Sequence, residues 1–312
     1  NNNYDFSYML SEVLGELNAS HTGSRYYPNG SAETTAKLGL FFDWNYTGKG
    51  LKVSEVVEYG PFDRAKSKVR PGTIITKING TDITVGNDYT TLLNGQVGKK
   101  VLVTCKNASG EWEEVVKPIS AGMNNALLYK RWVKRQEALC DSLSGGRLGY
   151  VHLQQMNDKS YREIYEKVLG EYNKKDGIVI DTRFNGGGRL HEDIQILFSG
   201  EKYLTQVVRG REACDMPSGT PWVYKHTGMG KLVGMPVPGT MTSVNWITMQ
   251  DESLIFGIPI IGYRLADGSY LENQQLDPDI RVANDPAVIV TGRDQQLEAA
   301  VKELLQEIDA KK

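Results

Sequence analysis

Gly177-Ile178-Val179-Ile180-Asp181, followed closely by Asn185-Gly186-Gly187-Gly188, constrains the fold more than any other stretch of the chain. A short β-branched run bounded by Asp and Gly predicts a strand covered on both faces, as in a parallel sheet. Ligands of open α/β sheets bind beyond the carboxyl ends of such strands, where these glycines stand. Residues without a Cβ let backbone approach a ligand and point amides outward, the geometry that holds an oxyanion. Three glycines alone describe an ordinary strand-to-helix turn equally well, so the functional reading depends on the rest of the chain.

Several function classes fall away on composition. With 36 Lys+Arg against 38 Asp+Glu the net charge is −2, which gives no electrostatic signature of a nucleic-acid partner. The longest apolar candidate, Leu254 to Tyr263, is interrupted by Gly257 and Pro259, so no membrane span is expected. Cys105, Cys140 and Cys214 are far apart and odd in number, and read as buried small hydrophobes rather than a disulfide framework or a CxxC site. His191-Glu192 lacks the second histidine of a zincin, the glycine loop lacks the Lys-Ser/Thr of a P-loop, and no GxGxxG follows a strand. No metal and no cofactor is expected. The start at Asn1-Asn2-Asn3, without methionine, reads as a processed or excised chain, and on that ground a secreted or periplasmic location is expected over a cytoplasmic one.

The 312 residues have room for two cored domains. Phe6, Met9, Leu10, Val13, Leu14 and Leu17 recur at helical spacing, predicting an amphipathic helix whose apolar face docks and whose end delivers Asn18-Ala19-Ser20-His21-Thr22-Gly23. Ala36 to Ser120 reads as short strands and turns: Leu38 to Phe42, Lys52 to Val57, the segment Pro71 to Gly80, Lys100 to Cys105 and Trp112 to Ile119. Between them stand a helical turn at Gly60 to Ala65, a hairpin at Asn79-Gly80 and a helix at Asp88 to Asn94. From Gly146 the pattern becomes α/β, with strands at Leu148 to Leu153, Lys231 to Val237 and Ile258 to Tyr263. Helices are expected at Asp158 to Glu171, Glu192 to Phe198, Ser243 to Phe256 and Asp294 to Ile308.

Two resemblances add to this reading. The order of elements in 36–120, with Arg70-Pro71-Gly72 leading to Asn79-Gly80, resembles a PDZ domain. That resemblance implies a peptide carboxylate held at Leu38-Gly39-Leu40-Phe41 while the peptide adds as a strand. Across the whole chain, four segments resemble the tricorn core within the carboxyl-terminal processing proteases. They are Leu17-Asn18-Ala19-Ser20-His21-Thr22, Asp181-Thr182-Arg183-Phe184-Asn185-Gly186-Gly187-Gly188, Thr242-Ser243, and Leu271-Glu272-Asn273 with Leu276-Asp277-Pro278-Asp279-Ile280. This resemblance implies a ClpP/crotonase-like α/β serine peptidase domain, built from an amino-terminal arm 1–35 and residues 121–312, with the PDZ-like domain 36–120 inserted.

The same resemblance implies Ser243 as nucleophile, His21 as general base, and Ser20 and Glu272 completing a tetrad. The amides of Val244 and of Gly186 or Gly187 would form the oxyanion hole. Many relatives use a serine and lysine dyad, but between Ser243 and Glu272 the only basic residue is Arg264, which cannot serve as a base near neutral pH. After Ser243 the residues Val244-Asn245-Trp246 are more apolar than the family pattern, which leaves substrate preference open; Asp215 is a candidate specificity acid. Substrates would be peptides or unfolded proteins, and the resemblance allows a homo-oligomer. The alternative is a catalytically silent PDZ peptide binder or lipophile carrier on the same scaffold. Taken singly, Ser243 is an ordinary helix N-cap and Ser20-His21 an ordinary helix-end cap, and Glu272 is an ordinary loop acid.

Overall fold

The computed structural model describes residues 2–28, 34–84, 88–188, 197, 205–208, 211–214, 225, 228–265 and 267–311. It divides into two compact units, Gly30–Gln136 and the combination of Asn1–Asn29 with Glu137–Lys312.

The larger unit opens with helix α1 (Asn3–Gly15), capped by Asn2, and strand β1 (Gly23–Tyr26). The docking face of α1 is not the expected apolar stripe. Of that stripe only Leu14 is buried, while Phe6, Met9, Val13 and Leu17 are exposed. Ser7 Oγ meets Ser24 Oγ at 3.0 Å, and Ser11 Oγ donates to the Ser24 carbonyl at 3.1 Å while accepting from its amide at 2.9 Å. Small residues on both sides let the helix sit close enough for short hydroxyls to bond strand backbone, and that contact decides the rotation.

The smaller unit is an antiparallel sheet in the order β2 (Leu40–Phe42), β3 (Leu51–Val56), β4 (Ile74–Ile78), β6 (Val101–Asn107), β7 (Gly110–Val116), with β5 (Thr81–Asp82) paired to β4. Asn79 and Gly80 turn the β4–β5 hairpin at φ 48° and 78°, the left-handed pair that a type I′ turn requires. Val53, Phe62, Val69, Ile75, Ile78, Val101 and Val103 form its core. Cys105 lies among them, its thiol pushed up to about 12 by burial. Gly60 to Ala65 runs as turns, and the helix expected after Asp88 is a 3-10 helix over Tyr89–Leu93, with Asp88 as its cap. No expectation covered α2 (Ala121–Ser144), a helix of 24 residues whose first turn is capped by Ser120 Oγ accepting from the Met123 amide.

In the larger unit β8 (Leu148–His152) pairs in parallel with β9 (Gly177–Asp181). The crossover between them is α3 (Asp158–Glu166), capped by Asn157 and continued by a π turn over Lys167–Glu171. All of β8 is buried, but Ile178, Val179 and Ile180 of β9 are only half-buried, because among the described residues this ladder has two strands. A second sheet joins β10 (Thr205–Val208), β11 (Arg211–Cys214), β13 (Thr242–Thr248) and β14 (Leu254–Arg264) to β1, and β12 (Val233–Gly234) pairs separately with β15 (Ile280–Arg281). The strand expected over Lys231 to Val237 is thus reduced to its centre.

The helix expected from Ser243 to Phe256 is instead β13 and the start of β14, paired residue by residue from Thr242↔Gly262 to Thr248↔Ile255. Val244, Trp246, Ile247 and Thr248 favour a pleated surface once a partner strand is present, and that partner outweighs the helix-start signal of Thr-Ser. Gly257 is required here: a Cβ on it would stand 2.5 Å from the Trp246 ring. The chain ends with α4 (Pro286–Ile289) and α5 (Gln295–Ala310), the latter capped by Asp294 and burying Leu297 and Val301. Apart from Leu197, the helix expected at Glu192 to Phe198 lies outside the described residues.

Candidate active site

Three non-glycine residues with left-handed backbone meet where α1 hands over to β1. Asn18 has φ 48°, His21 62° and Asn273 61°, and Asn273 Nδ2 donates to the Asn18 carbonyl at 3.0 Å. Such positions cost roughly 1–3 kcal/mol each and cluster at functional sites. Beside them Glu272 follows the buried Leu271, whose amide donates to the Tyr263 carbonyl at 3.1 Å and so fixes the loop to β14.

Glu272 gathers three donors. Oε1 accepts from the Ser20 amide; Oε2 accepts from Ser20 Oγ at 3.0 Å and from the Met241 amide at 2.6 Å. Ser20 Oγ lies 3.1 Å from His21 Nδ1. The proton order follows from chemistry. A carboxylate only accepts, so the Ser20 hydroxyl proton points to Glu272, and Ser20 Oγ then accepts from His21 Nδ1–H. That tautomer leaves the lone pair on Nε2, the form a general base needs.

Thr242 buttresses the chain of bonds, a role that sequence reasoning missed. Its Oγ1 lies 2.8 Å from Ser20 Oγ and 3.4 Å from His21 Nδ1, and it donates to the Ser20 carbonyl at 2.9 Å. The Thr-Ser pair was visible in the sequence, but only the pairing of β13 turns the threonine hydroxyl toward Ser20. Next along the strand, Ser243 Oγ bonds the Tyr263 hydroxyl at 2.8 Å; among the described residues it makes no hydrogen bond to His21. A β-bulge separates Ser243 from Val244, which stands opposite Pro259. Bulges re-aim side chains beside active sites. Arg25, on the strand that follows His21, stacks 4.1 Å over the Trp246 ring and ties β1 to β13 across β14.

At the glycine turn the Gly186 amide donates to the Gln154 carbonyl at 2.9 Å, and the Gly187 amide to Asn185 Oδ1 at 2.7 Å. Both glycine amides considered for the oxyanion hole are thus engaged, Gly186 with the loop after β8 and Gly187 within the turn. Gly188, at φ 132°, could carry no side chain, since a Cβ would lie 2.2 Å from the Met156 carbonyl oxygen. Behind the turn, Asp181 accepts from Tyr150 OH at 2.7 Å and from Arg183, whose guanidinium also reaches both oxygens of Asp294, at 2.8 and 3.0 Å. Burial would raise the Asp181 carboxyl, but Arg183 and Tyr150 hold it below the usual carboxylate range. His152 Nε2 donates to the Arg183 carbonyl at 2.6 Å, and burial lowers this imidazole's affinity for a proton. Asp181 is therefore part of a clamp beneath the turn.

In the smaller unit, Leu38 is buried and Gly39, at φ 65°, offers its carbonyl to the Val57 amide at 3.0 Å. Leu40 and Phe41 lie in β2, at the end of the sheet order; Phe41 is opposite Glu55 and 4.8 Å beneath the Arg131 guanidinium, which pairs with Glu55. Asp215 lies outside the described residues. Among the described residues no group of three or more His, Cys, Asp or Glu could hold a metal ion, and no helix is long and apolar enough to cross a membrane.

Residues 147–220 match the family described as Peptidase family S41. The Tricorn protease homolog of Saccharolobus solfataricus is 24% identical over 337 aligned positions, covering 98% of this chain and 31% of its own length. The Tricorn protease of Thermoplasma acidophilum is 23% identical over 342 positions, with coverage of 98% and 31%. The chain therefore spans about a third of the length of these relatives. Among solved structures, the crystal structure of the tricorn protease superposes with a TM-score of 0.77 at 18% identity, over 95% of this chain and 31% of that one. At that identity the likeness concerns the fold alone.

Proposed function

We propose, from the premise that the chain belongs to the tricorn-like S41 serine peptidases, that it hydrolyses peptide bonds through an acyl-enzyme on Ser243. The observation that carries the proposal is the directed chain of bonds Glu272–Ser20–His21, which fixes the imidazole in the tautomer with Nε2 as base. In the reaction His21 Nε2 takes the Ser243 proton as Oγ attacks the scissile carbonyl. The imidazolium that forms is held by Ser20 and, through it, by Glu272, and it then hands its proton to the leaving amine. Water enters by the same base and releases the acid product.

The Val244 amide at the bulge is assigned to the developing oxyanion. For Gly186 or Gly187 to add a second donor, its amide has to leave the acceptor it now has. We assign peptide recruitment to the β2 edge of the smaller unit, read as PDZ-like, where a peptide adds as a strand and its carboxylate meets the Leu38–Phe41 loop. Substrates are thus peptides or unfolded chains, cut internally or trimmed from a free carboxyl end.

The alternative, a silent peptide or lipophile binder, has one observation on its side: Ser243 Oγ faces Tyr263 rather than His21. Digestion of a diverse peptide library by the purified chain, read by mass spectrometry, separates the two. Cleavage that disappears in Ser243→Ala is expected; tight peptide binding without cleavage supports the binder.

A further inference from the structure

Resting on the assignment of Ser243 as nucleophile, we infer that Tyr263 is a positioning residue that holds the Ser243 hydroxyl in a resting orientation, away from its base. The register of β13 and β14 puts the two side chains together. Ser243 stands opposite Ile261, so Tyr263, two residues further along β14, lies diagonally across on the same face. Tyr263 is 6% exposed and forms a buried cluster with Leu271, against which Met241, Ile261 and Leu265 pack. Its carbonyl also accepts from Leu271, the neighbour of Glu272, so one residue anchors the loop of the orienting carboxylate and faces the nucleophile.

A serine hydroxyl carries one proton and turns about a single bond between staggered wells. If Ser243 gives that proton to Tyr263, none is left for His21 Nε2. If Tyr263 donates instead, it occupies a lone pair of the attacking oxygen. In both cases Oγ must leave the phenol, or share itself with it, before His21 can activate it. His21 Nδ1 is already committed to Ser20, so the base is set while the nucleophile is parked. Substrate binding that turns Ser243 toward Nε2 completes the site, and a bystander ester meets a less reactive serine.

The test compares the parent with Tyr263→Phe in their second-order rate of modification by a fluorophosphonate, with the adduct mapped by mass spectrometry. Loss of the phenol should speed modification of Ser243 roughly two- to tenfold, the worth of one neutral hydrogen bond, with the midpoint of the pH profile unchanged. An equal or slower rate with the adduct still on Ser243 keeps the nucleophile and overturns the latch. No adduct on Ser243 in either protein removes the nucleophile reading, and the latch with it. Should Tyr263→Phe fold poorly, crystal structures of the parent alone and with a boronic acid on Ser243 decide. Oγ should bond Tyr263 OH in the first and leave it in the second; a free-state bond to His21 Nε2, or a phenol contact kept in the adduct, refutes the inference.

Discussion

Glu272→Gln tests the relay with the smallest change of shape. The parent carboxylate accepts on both oxygens, from the Ser20 amide on one and from Ser20 Oγ and the Met241 amide on the other. Glutamine offers one oxygen and one NH₂ group, so it cannot serve all three donors. With its oxygen toward Ser20 Oγ and Met241, the NH₂ confronts the Ser20 N–H. With the oxygen toward the Ser20 amide, the NH₂ confronts the Met241 N–H and donates to Ser20 Oγ. That second arrangement reverses the hydroxyl, which then donates to His21 Nδ1 and moves the imidazole proton to Nε2, the wrong tautomer for a base. Each arrangement leaves one part-buried donor facing a donor, a destabilisation of about 1–3 kcal/mol. Turnover of an activated ester should fall ~10²–10⁴-fold, as when the orienting acid of a serine triad is replaced. Ser20→Ala breaks the same relay, so Ser20→Ala/Glu272→Gln should be little worse than the poorer single variant. Ester kinetics and thermal melts on the four proteins read both quantities. Parental turnover in Glu272→Gln, or losses that multiply in the double variant, would refute the relay.

Arg183→Met leaves the buried Asp181 and Asp294 carboxylates without their guanidinium, which should cost about 3–5 kcal/mol in chemical denaturation. The folded carboxyl of Asp181 lies below its unfolded value, so its stabilisation is present above ~3.9 and is lost as pH falls through the folded value. Acid unfolding followed by circular dichroism should accordingly begin at higher pH in Arg183→Met, and an unchanged midpoint would show that the clamp is not what fails in acid. His152 is lowered by burial, so stability should decline as pH falls below ~6.5, where the unfolded chain takes up the proton first; the decline should flatten in His152→Gln, and an identical slope there would exclude this histidine. Gly257→Ala drives a methyl into the Trp246 ring and off its stack with Arg25, so it should lower both the melting temperature and ester turnover; a variant with parental values of both would show the stack to be dispensable. Removing 36–120 with a short linker should raise KM for long peptides while a small ester is still turned over; loss of ester turnover in a folded deletion would instead make that unit part of the active site.

Local chemistry was legible wherever it decides structure by itself. The Asn79-Gly80 hairpin, the parallel pair β8 and β9, and the starts of α3 and α5 appear where spacing and turn residues put them. Long-range pairing was not legible. Thr-Ser followed by Val-Asn-Trp-Ile reads as a helix start in isolation, and it becomes β13 only because β14 lies beside it. The same pairing hid Tyr263 and Thr242, whose partners are 20 and 222 residues away in the chain. For α1 the apolar periodicity was genuine, yet serines at 7 and 11 set the docking face through bonds to Ser24, which no hydrophobicity pattern reveals. Helix α2 lies outside the expected elements even though Ser120, the expected edge of the inserted domain, is its cap. The segments carrying Ser20, His21, Ser243 and Glu272 were found from motif order, and the bonds joining Glu272, Ser20 and His21 come from the fold.

The central claim is that His21, held by Ser20 and Glu272, makes Ser243 a nucleophile. Acid-quenching the chain during turnover of an activated ester, then digesting it and mapping the acyl group by mass spectrometry, tests that claim most directly. The adduct is expected on Ser243 in the parent, and on no residue in Ser243→Ala or His21→Ala. An acyl group on another residue, or one that persists in His21→Ala at the parental rate, would contradict it.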